Sequence, residues 1–72
     1  MIFYRFHEKE GPGVVITNDI SGANLPKVNS GWKADGQTEV KVGGPKRLGA
    51  EPGDIIDTIE RDGFFLGSAY DA

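Results

Sequence analysis

The chain has 72 residues, no cysteine and a net charge of −3, with 38% apolar and 26% charged residues. A chain of this length buries only about 60% of the surface its unfolded form exposes, so one thin core and a single domain over residues 1–72 are expected, without disulfide or thiolate-metal staples. The charge is uneven: residues 1–50 carry seven Lys/Arg against five Asp/Glu and residues 51–72 one against six, a distribution that argues against general binding to a phosphate backbone.

The opening Met1-Ile2-Phe3-Tyr4-Arg5-Phe6-His7 is apolar for only a few residues before charge breaks it. That is neither a signal h-region nor a membrane span, and the expectation is a cytoplasmic product, complete in itself, with no membrane association. Residues 2–8 alternate with period two, Ile2, Tyr4 and Phe6 against Phe3, Arg5 and His7, which predicts a strand. Glu10-Gly11-Pro12-Gly13 has the chemistry of a turn, and the β-branched run Val14-Val15-Ile16-Thr17 completes a hairpin.

From Asn18 to about Val28 the periodicity is lost among Ser21-Gly22, Asn24 and Pro26, with Ile20 and Leu25 as apolar anchors. This reads as a long loop, the kind of segment that often carries function in a small domain. Asp35-Gly36 is a two-residue turn signal between Trp32-Lys33-Ala34 and Gln37-Thr38-Glu39-Val40-Lys41-Val42. It predicts a second hairpin, with Trp32 on the face opposite Val40 and Val42.

After Gly43-Gly44-Pro45 and Pro52-Gly53, two readings compete. Asp62-Gly63 as a turn pairs Ile59 with Leu66 and Ile55 with Tyr70, giving a core face of Ile55, Ile59, Phe64, Leu66 and Tyr70. A short helix from Pro52 to Asp62 has Pro52 in its first turn, Ile55 and Ile59 four apart, and Gly63 as its stop. Strand propensity of the isoleucines, Thr58 and Phe64-Phe65 favours the hairpin. The predicted fold is therefore mainly β, a small antiparallel barrel or curved sheet built from about three hairpins. Phe3, Trp32, Ile56 and Phe65 fall opposite the best core faces, so either both sides of the sheet are buried or these residues meet a partner.

No reactive constellation stands out. His7 has only Glu8 and Glu10 as close acidic neighbours, and a strand puts His7 and Glu8 on opposite faces, so no metal site and no cofactor are expected. Glu51, Asp54, Asp57, Glu60 and Asp62 lack the register of a calcium loop and read as the solvated face of a strand. Lys41, Lys46 and Arg47 around Gly43-Gly44-Pro45 form the one concentrated basic patch, without the spacing of a phosphate-binding loop. Enzymatic activity is not expected.

The stretch Gly53-Asp54-Ile55-Ile56-Asp57-Thr58-Ile59-Glu60-Arg61-Asp62-Gly63-Phe64-Phe65-Leu66-Gly67 resembles the central part of SH3 domains, and the chain is of SH3-like size. That resemblance implies a small barrel in which Phe64 helps line a groove for proline-rich peptides. The chain ends soon after Gly67, without the family's final strands and Pro-x-x-Tyr motif. Gly36-Gln37, Pro45-Lys46, Leu48-Gly49 and Pro52-Gly53-Asp54 followed by Asp62-Gly63 also look like the AbrB-type swapped-hairpin DNA-binding fold, although only Arg47 separates Pro45-Lys46 from Leu48-Gly49, which leaves no room for that family's helix.

The expected function is a non-catalytic protein-interaction module, a small regulator or inhibitor acting by surface binding. Its candidate binding residues are Trp32, Lys33, Lys41, Lys46, Arg47 and Phe64, with a protein as partner and a homodimer through edge strands as a further possibility. The alternative is a small nucleic-acid-binding dimer built on Lys33, Lys41, Lys46 and Arg47.

Overall fold

The computed structural model describes residues 1–68. The alternating segment forms β1 (Ile2–Glu8), and the β-branched run returns antiparallel as β2 (Gly13–Thr17), with Tyr4 opposite Thr17 and Phe6 opposite Val15. Glu8 closes the turn by accepting a hydrogen bond from the Gly13 amide at 3.1 Å. Every residue of β2 is buried, as its small, mostly apolar side chains allow when both faces of a strand are covered, with the one polar side chain, Thr17, hydrogen-bonded.

The second predicted hairpin does not form. Trp32–Glu39 is one continuous strand, β3, which pairs antiparallel with β1. Asp35-Gly36 is a bulge within it: Tyr4 faces Gln37 and Phe6 faces Ala34, so two residues of β3 stand against Arg5 alone. The glycine is required because its φ is +87°, and the positive φ that suits a hairpin turn equally suits a bulge. Strand structure ends at Glu39 rather than Val42, and Val40 is held by reciprocal backbone bonds to Met1, both 2.9 Å.

The third predicted hairpin is also replaced. Pro52–Asp62 is a helix, α1, and Phe64–Ser68 is a strand, β4, that pairs antiparallel with β2. Pro52 stands in the first turn, Pro52, Ile55 and Ile59 face inward, and Gly63 (φ +90°) ends the helix with its amide donating to the Ile59 carbonyl at 2.7 Å. Burial of that apolar stripe, together with the vacant edge of β2, outweighs the strand propensity of the isoleucines. The sheet order is β3-β1-β2-β4, open at both ends and not closed into a barrel.

Both faces of this mainly β sheet are covered. On one side α1 packs over Phe3, Val14, Ile16, Val40, Leu48, Ile55 and Ile59, with Phe65 against them. Phe3 and Phe65 thus belong to the core. Leu66, assigned to it from the hairpin register, is 53% exposed, Phe64 is half-buried, and Tyr70 lies outside the described residues. Leu48 reaches the core from a tight turn over residues 47–50, in which Leu48 (φ 51°) and Gly49 (φ 76°) occupy the left-handed region and Arg47 and Ala50 exchange backbone bonds. A Cβ at Gly67 would lie 2.8 Å from that of Leu48, so the turn and β4 meet only because position 67 is glycine.

On the other side the loop over residues 18–31 covers Phe6, with Gly22 close against its ring and Leu25 beside Gly22. Trp32 anchors this loop, its indole Nε1 donating to the Pro26 carbonyl at 2.7 Å. Thr17 ties it to the end of α1: its hydroxyl lies 2.9 Å from both Asn24 Oδ1 and the Gly63 carbonyl and accepts from the Asp19 amide.

Candidate functional site

The register forms a grid on which the predicted residues can be placed. Ala34, Phe6, Val15 and Leu66 make one cross-strand row on the loop side, and Gln37, Tyr4, Thr17 and Phe64 the next. Trp32 is at the start of β3 on that same side, half-buried by the loop, while Lys33 pairs with His7 and points to the helix side. Lys41 and Arg47 line a small hollow of 90 Å³ beyond the other end of β3. Lys46 is engaged with Glu51 at 3.6 Å, both side chains exposed. Phe64 sits across the sheet from Trp32, three strand spacings to the side and four residues further along β1, roughly 19 Å away. The structure brings Lys41 and Arg47 together with Lys46 next to Arg47 in the chain, while Trp32 and Lys33 lie at the opposite end of β3 and Phe64 on the far strand of the sheet.

The two edges of the sheet differ in chemistry. β3 reads Trp-Lys-Ala-Asp-Gly-Gln-Thr-Glu, with three charged residues and a bulge in eight positions. These are devices by which edge strands avoid pairing with another chain. Asp35 at the bulge is further occupied by Arg5, whose Nε donates to Oδ2 at 3.1 Å, with His7 Nδ1 at 3.6 Å from the same oxygen. β4 reads Phe-Phe-Leu-Gly-Ser, with no charge, proline or bulge. Phe65 and Gly67 turn toward the core, while Phe64 and Leu66 face the loop side, where Leu66 extends past the loop that covers Phe6 and Val15.

α1 runs beside this uncharged edge, in contact with β4. The acidic residues expected on a strand face instead occupy its outer surface, where Asp54, Asp57, Glu60 and Asp62 are exposed. Arg61 is the one cation of the helix, held to Asp62 at 3.1 Å, and that neighbour raises its pKa. The Asp19 carboxyl lies below its usual range because the Ser21 hydroxyl and amide both donate to it, at 2.7 and 2.9 Å, bonds that shape the loop.

Two other hollows flank the sheet. One of 540 Å³ is open and polar, between Glu8, Glu10 and residues 27–30; the other, of 230 Å³, lies beneath Ile20 against Tyr4, Phe6 and the bulge. Among the described residues no three His, Cys, Asp or Glu side chains are grouped to hold a metal ion, and no helix is long and apolar enough to cross a membrane. Leu66 and the uncharged outer edge of β4 were not singled out from sequence. The signal available was the run of five uncharged residues after Gly63, which acquires its meaning only once β4 is known to lie at an edge. No family model, curated protein or solved structure matches the chain.

Proposed function

We propose that the protein is a non-catalytic interaction module, a small regulator or inhibitor that takes up an extended segment of a partner protein along the outer edge of β4, at Phe64–Leu66. The observation that carries this reading is the contrast between the two edges: β3 is charged and bulged, and β4 is uncharged and regular. A strand added at β4 gains main-chain hydrogen bonds, and its alternate side chains meet Phe64 and Leu66. It continues the row Phe6–Val15–Leu66 and removes the half-exposed Leu66 from water. Binding of nucleic acid is less well supported, because Lys33 lies at the opposite end of β3 from Lys41, Lys46 and Arg47, and Lys46 has Glu51 beside it, leaving a cluster of three cations for phosphates.

Site-specific crosslinking in the native cell tests the proposal. A photoreactive residue at Leu66 is expected to give a discrete protein adduct, and the same residue at Lys33 on β3 none. Equal labelling from both edges, or adducts only with nucleic acid, contradicts it.

A further inference from the structure

We infer that the hollow beyond the Glu39 end of β3 binds a single phosphate group, through Arg47 and Lys41 with Lys46 at its margin. The hollow shares no residue with the β4 edge. Of the three arginines, Arg5 is held by Asp35 and Arg61 by Asp62, both at 3.1 Å. Arg47 is half-buried, and among the described residues its guanidinium has no hydrogen bond or ion pair. Its donors are left to water or to an anion.

Two backbone turns build the hollow. The Gly44 amide donates to the Lys41 carbonyl at 2.9 Å, with Gly43 at φ +86°, and Arg47 and Ala50 exchange backbone bonds around Leu48. Val40, just before the first turn, and Leu48, inside the second, are both core residues, so the two turns are anchored to the same packed interior. Lys41 and Arg47 thereby line one space of 90 Å³. Glu39 lines it too, but no ion pair joins its carboxylate to either cation. Lys46 has Glu51 at 3.6 Å, so three cations against two carboxylates leave the cluster at +1. An arginine fork with lysine point charges suits a phosphate, which presents three acceptor oxygens and about −1.5 to −2 charges near neutral pH. A carboxylate brings less charge. A nucleic-acid backbone needs cations along its length, and the next lysine of the patch, Lys33, is at the opposite end of β3.

The test is an amide NMR titration of the full chain, at constant ionic strength, with inorganic phosphate, N-acetyl-phosphoserine amide and acetate. The phosphates should shift residues 39–47 and saturate with a dissociation constant of about 1 mM or below, and acetate should bind at least about tenfold more weakly. Arg47→Gln and the exposed Lys41→Gln should each weaken phosphate about fivefold or more, and Arg47→Lys, which keeps the charge without the fork, should recover only part of the loss. Glu39→Gln removes a repelling charge and should tighten binding. Tighter binding of inorganic phosphate identifies the free ion as the ligand, and tighter binding of the phosphoserine compound identifies a phosphorylated side chain; either supports the site. No shift of residues 39–47 at about 20 mM phosphate, equal binding of acetate, equal shifts at Lys9, Lys27 and Lys33, or glutamine variants that bind as the parent does would each overturn the assignment. A single-stranded oligonucleotide bound more tightly than phosphate, with Lys33 shifted as well, also overturns it.

Discussion

Thr17 has no exposed surface, yet its hydroxyl is fully used, joining β2 to Asn24 of the loop and to the Gly63 carbonyl that follows α1. The Asn24 amide donates to the same carbonyl at 3.0 Å, so one oxygen gathers the loop, the helix end and the start of β4. Thr17→Val keeps the shape of the side chain and removes the hydroxyl, leaving the Asp19 amide and Asn24 without that partner. It is expected to cost about 1–3 kcal/mol in urea unfolding, the range for stranding buried polar groups. A variant as stable as the parent would show that the junction contributes nothing. Sequence showed Thr17 only as the β-branched end of a strand, since its partners lie 7 and 46 residues away. Trp32 was open for a similar reason: its alternation was readable, but its burial depends on the loop carrying Pro26 to its indole nitrogen.

Local pattern located β1 and β2, because alternation followed by a β-branched run has few other readings. It did not separate helix from hairpin over residues 52–62, where Ile55 and Ile59 satisfy both periods. The decision is non-local, resting on an unpaired edge of β2 that accepts Phe64–Ser68 and on a core that accepts the isoleucine stripe. Asp35-Gly36 misled in another way, since hairpin turns and bulges draw on the same tolerance of positive φ. Two glycines of α1 test the helix with opposite signs. Gly53 has open space around a built Cβ and ordinary helical geometry, so Gly53→Ala should stabilise by roughly 0.5–1 kcal/mol through reduced backbone freedom in the unfolded chain. Gly63 has φ +90° and a built Cβ only 2.7 Å from Asn24 Nδ2. Gly63→Ala should therefore destabilise by at least about 1–2 kcal/mol, the left-handed penalty alone. Equal effects in denaturant melts would contradict a helix that starts at Pro52 and stops at Gly63.

Across the whole molecule, the arrangement of edges was hidden in the sequence because it is a property of strand order. Phe64 entered the candidate set through a resemblance to SH3 domains, while Leu66 beside it became notable only when β4 proved to be an outer strand. The four predicted cations were readable as residues, but not the separation of Lys33 from Lys41, Lys46 and Arg47, which follows from Lys33 and Lys41 lying at opposite ends of β3. The sheet has one charged, bulged edge and one uncharged, regular edge, the latter in contact with an acidic helix. Substitution of Leu66 by lysine places a charge on the uncharged edge at a site 53% exposed, so stability should change by no more than about 0.5 kcal/mol, while pairing with another strand is blocked. Hydrogen exchange tests the central claim most directly, comparing the chain alone with the chain saturated by an extended peptide in which valine alternates with serine. Those amides of residues 64–66 that do not bond to β2 should gain protection, β3 should be unchanged, and the gain should vanish in Leu66→Lys; protection that appears at β3, or persists in that variant, would contradict the account.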